Sequence, residues 1–379
     1  MTAWTQDEAL ILDQIERFAA EVLAPRAADL DESQTFAVCH LPAMAELGLM
    51  GLNLPEVEGG LGLTGPALYR AVEIIAGACG STASMLTAHY LATDSLHLGA
   101  DAALKARILP RAAAGALGAF ALTEPEAGSN PADMRTTARR EGAGYRLRGA
   151  KAFISNAGAA AFIVVFAKTD PDAGARGISA FVVEPALTPG VAVARAERTM
   201  GLRGGHVFGV TFDCFVPEEN RIGPEGSGFR TAMRVLDNGR IEVAAQATGI
   251  AAAALDASVA YARTRHVGGH PIADFQGLQW MLADSANDLA AARALGYAAA
   301  RLRGSGARYS TESAHAKLFA SEAAWRIADR ALQIHGGYGY CRYFPLERYL
   351  RDLRIFRIYE GSSEIQRTII ARGLLADPT

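Results

Sequence analysis

The sequence predicts a mainly α-helical protein with a β domain in its middle. Three observations carry that prediction. Apolar residues recur at helical spacing through the first 118 residues. Short β-branched and aromatic runs, separated by turn clusters, occupy 119–222. Long Ala-rich helical segments return from 223 onward. We therefore expect an N-terminal helical domain over 1–118, an antiparallel β domain over 119–222 and a C-terminal four-helix bundle over 223–379.

The elements follow in order. Ile11, Ile15, Phe18 and Val22 share one face of a first helix, with Asp13, Glu16 and Arg17 opposite. Pro25 is expected to end it. Residues 41–49 make a short helix closed by Gly48, and the Gly and Pro content of 54–62 marks a loop. From 66 to 116 the chain is Ala- and Leu-rich, with breaks at Gly80 and Gly99, which predicts two or three largely buried helices. Strands are expected at 145–149, 161–167, 178–183 and 207–216, with a turn at 169–174. Helices are then expected at 229–264, 276–302 and 311–334. A fourth starts after Ser362, where Ser362 or Ser363 can cap it.

Composition excludes several function classes. The net charge of −3 argues against non-specific nucleic-acid binding, which needs a basic surface. The four cysteines (Cys39, Cys79, Cys214, Cys341) form no CxxC pair, so neither a zinc site nor a disulfide framework is expected. A reduced, cytoplasmic setting fits best. The stretch from Met1 to Glu8 lacks the basic and apolar regions of a signal peptide. No apolar run of about 18 residues predicts a membrane span.

Six segments carry chemistry. Arg354 to Arg367 places one carboxylate, Glu360, between an apolar aromatic run and Gly361-Ser362-Ser363. Backbone can hold such a carboxylate, and Gly361 lets another molecule approach closely. That suits a general base on a bound substrate, although a solvated Glu near a helix start has the same local pattern. Thr123-Glu124-Pro125-Glu126-Ala127-Gly128-Ser129 offers hydroxyls and backbone N–H groups for a polar ring edge or a pyrophosphate, or is an ordinary turn. Lys151-Ala152-Phe153-Ile154-Ser155-Asn156 is a strand with one aromatic. Asp237-Asn238-Gly239-Arg240 puts charge early in the first long bundle helix. Arg263 to Gln276 is an Arg-rich helix end followed by a Gly turn. Gln333-Ile334-His335-Gly336-Gly337-Tyr338-Gly339-Tyr340 is a Gly turn closing a helix. No GxGxxG fingerprint, P-loop or HExxH motif is present.

In this order, and ending in Tyr359-Glu360-Gly361-Ser362-Ser363-Glu364-Ile365-Gln366, the segments resemble the acyl-CoA dehydrogenases over nearly the whole chain. The resemblance implies noncovalent FAD, held by Phe120, Leu122, Thr123, Gly128, Ser129, Phe153, Ile154, Ser155, Arg265, Gln276, Ser362 and Glu364. Gln333, Gly336 and Gly337 would bind the FAD of a neighbouring subunit in a homotetramer built as a dimer of dimers. It implies a substrate, an acyl-CoA or carrier-bound acyl thioester, against Ser129, Asp237, Arg240 and Gly361. Glu360 would remove the α proton while a hydride leaves the β carbon for the flavin, giving the trans-2-enoyl thioester. Electrons would pass to an electron-transferring flavoprotein.

A minority of the family carries its base just before the Arg, and Gly239 stands there, which leaves Glu360. Two departures bear on FAD: Asn130 replaces the usual Asp, and Gly268 the usual aromatic. The pocket floor is expected around Thr87, His89 and Tyr90. A flavin monooxygenase or oxidase on the same fold, or a non-catalytic acyl-binding protein, are the alternatives. Retention of Glu360 counts against both.

Overall fold

The computed structural model describes residues 4–376. Met1, Thr2 and Ala3 of the N-terminal stretch read above lie outside the described residues, as do Asp377, Pro378 and Thr379.

Helix α1 (Gln6–Phe18) starts with a capping box, in which Thr5 and Glu8 bond each other's backbone. The helix does not end near Pro25. A π-turn (Ala19–Leu23) carries it directly into α2 (Ala24–Ser33), where Pro25 sits in the first turn. There the chain is mid-helix, and the wider π-turn just ahead of it accommodates a residue that has no N–H to give. Helix α3 (Leu41–Glu46) precedes Gly48, whose φ of 70° closes it. Three helices follow: α4 (Gly65–Ala78), α5 (Gly80–Gly99) and α6 (Ala102–Ala113). Helix α5 is buried almost end to end, which explains why its sequence lacks a polar face.

The β region holds β1 (Gly118–Ala121), β2 (Thr137–Glu141), β3 (Gly144–Ser155), β4 (Phe162–Lys168), β5 (Ile178–Val183), β6 (Val191–Val193), β7 (Val207–Pro217) and β8 (Arg221–Ile222). They form one sheet in the order β6-β7-β3-β2-β4-β5-β8, with β1 beside β4. Most pairs are antiparallel, but β1 and β2 run parallel to β4, so the sheet is mixed. Strand β4 is buried on both faces. Phe162, Val164 and Phe166 pack toward α5 and α6, while Ile163, Val165 and Ala167 face the sheet's own core with Tyr145, Phe181 and Phe212. That double burial is why its sequence is a continuous apolar run.

The C-terminal region contains α7 (Gly228–Thr264), a small hairpin of β9 (His266–Val267) and β10 (His270–Pro271), α8 (Gln276–Leu302), α9 (Ser310–His335), α10 (Gly337–Tyr340), α11 (Leu346–Leu353) and α12 (Ser363–Leu375). Among the described residues one helix, α7, is long and apolar enough to cross a membrane by length and composition; it is mostly buried inside the fold. Gly268 and Gly269 are the two turn residues of the hairpin, with φ of 59° and 85°. Both central positions of a type I′ turn need positive φ, which accounts for glycine there.

Helix α7 packs against α4 nearly backbone to backbone. A Cβ at Gly249 would stand 2.1 Å from the Glu73 carbonyl oxygen, and one at Gly77 would stand 3.1 Å from that of Gly249. Gly249→Ala should therefore destabilise the protein by about 1–3 kcal/mol through overpacking, although alanine is the better helix former by about 1 kcal/mol. A thermal midpoint that stays level or rises, at fixed protein concentration, would show that the contact yields easily.

Candidate active site

Helix α7 supplies one wall of the site. Asp237 accepts from Arg240 Nη1 at 2.5 Å and from Ser310 Oγ at 2.5 Å, which ties the start of α9 to α7. Arg240 is buried, and its Nε has no partner. Burial lowers its pKa, opposed by Asp237 and Glu360.

The opposite wall is the segment between α11 and α12. Glu360 holds φ of 54° and Gly361 φ of 84°. A left-handed conformation costs a non-glycine residue roughly 1–2 kcal/mol, so the surroundings must fix it. They do so through carbonyls. Gln366 Nε2 donates to the carbonyl oxygens of Glu360 (3.1 Å) and Gly361 (2.8 Å). Lys317 Nζ, from α9, donates to the Gly361 oxygen at 2.6 Å. Ser362 caps α12 by accepting from the Ile365 N–H. Ser363 Oγ donates to Glu322, which also pairs with Arg357.

The two walls meet at one point. A Cβ on Gly239 would lie 2.9 Å from Glu360 Oε2 and 2.8 Å from Leu91 Cδ2. Glu360 Oε2 is buried and has no hydrogen-bond partner. Burial pushes the Glu360 carboxyl up to about 7, while Arg240 and Lys317 hold it down. Lys317 is pushed down by burial, against the pull of Glu360. A desolvated carboxylate that titrates near neutrality, with one lone oxygen, can accept a proton from a bound molecule.

The β region presents a second surface. Lys151 is fully buried and donates to the Leu122 carbonyl (3.0 Å) and to Glu124 Oε1 (2.8 Å). Glu124 also accepts from the N–H groups of Arg135 and Thr136. Burial would raise the Glu124 pKa, but Lys151 and the N–H groups together lower it. This cluster fixes the 122–130 loop against β3, and the Ala152 N–H donates to the Thr123 carbonyl at 3.0 Å. Beside it β3 bulges between Lys151 and Ile154. At the bulge Phe153 takes φ of 57° and keeps 65% of its surface exposed. Phe120, Leu122, Thr123, Phe153, Ile154 and Ser155 are thereby brought to one region. Gly128 and Ser129 stand on its exposed rim.

The remaining candidates gather elsewhere. The Arg265 guanidinium lies 5.8 Å from the centre of the Tyr338 ring, at the mouth of a cleft of about 470 Å³ lined by Tyr261, Arg265, His335, Gly336 and Gly337. Gln276 and Gln333 are exposed, as is Glu364 on the first turn of α12. Gly336 has φ of 58° and ψ of −138°, a conformation reserved for glycine. From Lys317 to Gly336 is 19 residues (336 − 317), about 28 Å of helix rise. Arg265, Gln276, Gln333, Gly336 and Gly337 are therefore at the far end of α9 from Glu360, whereas Glu364 lies only four residues from it (364 − 360). Asn130 bonds only its neighbour Asp133 through Nδ2, on the surface.

Sequence reasoning missed Lys317, Gln366, Lys151 and Glu124. Lys317 had a signal: it is a lone cation among Ala314, Ala316 and Ala320 on a buried helix face. The residues expected at the pocket floor are held as follows. Thr87 faces α7, accepting from Gln246 Nε2 at 3.0 Å. His89 bonds the Met50 carbonyl and accepts from the Gly118 N–H, and Tyr90 donates to the Leu49 carbonyl. Both rings also hold neighbouring segments together, and Tyr90 feels the charge of Glu242 on α7.

Comparison with known proteins gives one family over nearly the whole chain. Three family models match in order: Acyl-CoA dehydrogenase, N-terminal domain over residues 5–116, middle domain over 119–214 and C-terminal domain over 226–375. The chain is 42% identical over 377 residues to acryloyl-CoA reductase (NADH) of Anaerotignum propionicum, covering 98% of this chain and 95% of that one. It is 44% identical over 362 residues to the mitochondrial short-chain specific acyl-CoA dehydrogenase of Rattus norvegicus, covering 94% and 87%. Its fold is similar to the solved butyryl-CoA dehydrogenase of Megasphaera elsdenii, with a TM-score of 0.96, 36% identity and coverage of 99% and 100%.

The Lys151–Glu124 pair yields a prediction. Lys151→Met leaves a buried carboxylate without its cation and should cost about 3–5 kcal/mol in denaturant unfolding. Adding Glu124→Gln should recover part of that loss. Equal stability of wild type and Lys151→Met would show that the pair is dispensable to the loop.

Proposed function

The chain belongs to the acyl-CoA dehydrogenase family, and we propose that it removes the α and β hydrogens of a short acyl-CoA thioester with Glu360 as the base. The observation that carries this is the lone, buried Glu360 Oε2 against the bare backbone of Gly239. Only a position without a side chain leaves room there for the carbon that loses its proton. Arg240 and Lys317 keep the carboxylate from being neutralised outright by its burial. The carbonyls of Glu360 and Gly361 are held by Gln366 and Lys317, which fixes the backbone around the Glu360 N–H, the donor that in this reading faces the thioester oxygen, where negative charge develops.

The cofactor is FAD. The exposed Phe153 ring, the Thr123 and Ser155 hydroxyls and the side-chain-free turn at Gly336 and Gly337 suit a ring system at one end and a dinucleotide at the other. In this proposal Phe120, Leu122, Thr123, Gly128, Ser129, Phe153, Ile154, Ser155, Ser362 and Glu364 hold the flavin half. Arg265 and Gln276 would hold the adenosine and pyrophosphate half; because Arg265 lines the same cleft as Gly336 and Gly337, it would act together with them and Gln333 from a second subunit. Ser129, Asp237, Arg240 and Gly361 would contact or orient the thioester. FAD, when bound, supplies the acceptor for the hydride equivalent from the β carbon.

The assembly we propose is a homotetramer in the cytoplasm, with an electron-transferring flavoprotein as acceptor and domains over 1–118, 119–222 and 223–379. Exposed Trp280, Tyr338, Tyr340, Tyr343 and Leu374 support an assembled state. The Glu360 carboxylate argues against an oxygenase or a non-catalytic binder.

Glu360→Gln should keep the fold and bound FAD, while flavin reduction by a good thioester falls at least about 10²-fold. Wild-type reduction in that variant would remove Glu360 from the mechanism.

The pH profile gives a second test. Only ionised Glu360 accepts a proton, so the reduction rate should climb as pH rises through about 7 and then level. Lys317→Met removes a cation that favours the ionised form, so its rising limb should move to higher pH. A limb that stays put, or moves down, would mean that Lys317 does not act on Glu360.

A further inference from the structure

The proposed reaction leaves one buried carboxyl unused. Gly239, Glu242 and Gln246 fall at i, i+3 and i+7 on α7, and so on one face. At Gly239 that face meets Glu360 and Leu91. At Gln246 it meets Thr87 of α5. Glu242 lies between them and is 2% exposed. Its Oε1 accepts from Arg303 Nη1 at 2.7 Å, and its Oε2 is buried with no partner. Gln246 is fully buried too, and its Oε1 is likewise without a partner. Behind them Arg303 grips both oxygens of Asp94, at 3.0 and 2.9 Å, and Asp94 also accepts from Asn53 and Asn238. Glu242 is therefore fixed from behind by Arg303, with its second oxygen left over. Glu242 also feels the Glu360 charge, which puts it on the reactive side of α7.

Resting on the dehydrogenase reading, we propose that Glu242 and Gln246 form the far wall of the acyl site and select a short acyl thioester whose distal carbon carries a hydrogen-bond donor, a hydroxyl or an ammonium. Once ionised, Glu242 can only accept at Oε2, as the Gln246 amide oxygen can; burial pushes the Glu242 carboxyl up to about 8, so both walls are acceptors only above that pH. An alkyl tail ending between them would leave both unpaired in a dry site, whereas a donor would satisfy them. Gly239 and Glu242 are three residues apart, about 4.5 Å of helix rise, which suits an acyl chain of about four carbons. Sites built to hydrogen-bond a substrate group discriminate strongly against the analogue that lacks it.

The test uses purified FAD-loaded enzyme with an artificial electron acceptor, at a pH above about 8 where Glu242 is ionised. Butyryl-CoA, 4-hydroxybutyryl-CoA and 4-aminobutyryl-CoA are compared by kcat/KM. At least one donor-bearing thioester should exceed butyryl-CoA by about tenfold or more, and which one separates hydroxyl from ammonium recognition. Glu242→Leu should bring that ratio below one, and Glu242→Gln should hold it nearer to wild type. If Glu242→Leu does not fold, the wild-type ratio decides alone. A wild-type enzyme that handles butyryl-CoA as well as either donor-bearing thioester overturns the proposal and leaves the dehydrogenase reading standing. So does a preference that survives Glu242→Leu. Failure of all three thioesters to reduce the flavin overturns both.

Discussion

The structure depends on how closely helix α7 is allowed to approach its neighbours. At Gly249 its backbone touches α4, and at Gly239 it touches the carboxylate of Glu360. These are ten residues apart on one helix (249 − 239), so the packing of the first contact sets the height and rotation of the second. Interiors are packed densely enough that a shift at one contact is carried along a rigid element. Tyr69 reinforces the register by bonding Thr248 at 2.7 Å while its ring fills the space beside Gly296. Small residues in α4, α7 and α8 are thus the condition for a carboxylate-sized gap in front of Gly239.

The carboxylate in that gap is held in an unfavourable state. Burial raises the Glu360 pKa from its ordinary value of 4.5 to about 7. The folded state thus favours the neutral acid. The energetic penalty for ionising it is absent below the unfolded pKa, grows between the two values and is fully present above about 7. It amounts to a few kcal/mol, on the order of 1.4 kcal/mol per pKa unit. The positive φ of the same residue adds to it. Neither strain could persist without the Gln366 and Lys317 bonds to the carbonyls on either side of Gly361. Those bonds act on backbone, so the carboxylate itself keeps a free oxygen.

The helices and the four strongest strands were legible because each repeats one local preference: α7, α8 and α9 through Ala-rich periodicity, and β4 and β5 through β-branched runs. What was illegible depends on tertiary partners. Strands β1, β2, β6 and β8 are short and have no run of their own. The helix through Pro25 continues because a π-turn relocates the mismatch, which spacing does not reveal. Glu360, Gly239 and Arg240 could be singled out from motifs, yet their meeting point lies more than a hundred residues apart in sequence. Lys151, Lys317 and Glu242 looked like ordinary helix or strand charges. Only burial distinguishes them, and burial is a property of the whole fold. Gly268 had the opposite fault: read as a lost ring, it is also the residue that a two-residue hairpin turn needs.

The separation of the two candidate clusters carries the last step. Asp237 and Ser310 join α7 to α9 at one end, and Tyr261 stacks on His335 at the other, with ring centres 4.2 Å apart. The intervals along the two helices nearly match, 24 residues on α7 (261 − 237) and 25 on α9 (335 − 310). The helices therefore run side by side and parallel as rigid rods over about 36 Å. Neither end can bend toward the other, so Gly336 and Gly337 cannot reach the carboxylate of their own chain. On the proposed assembly, a dinucleotide spanning two chains would bind the assembled state more tightly than the separate one. Mass action then couples cofactor and subunit association: each raises the apparent affinity of the other by the same factor. On that assembly, the rigidity that keeps Glu360 in place is also what leaves a single chain insufficient for its cofactor.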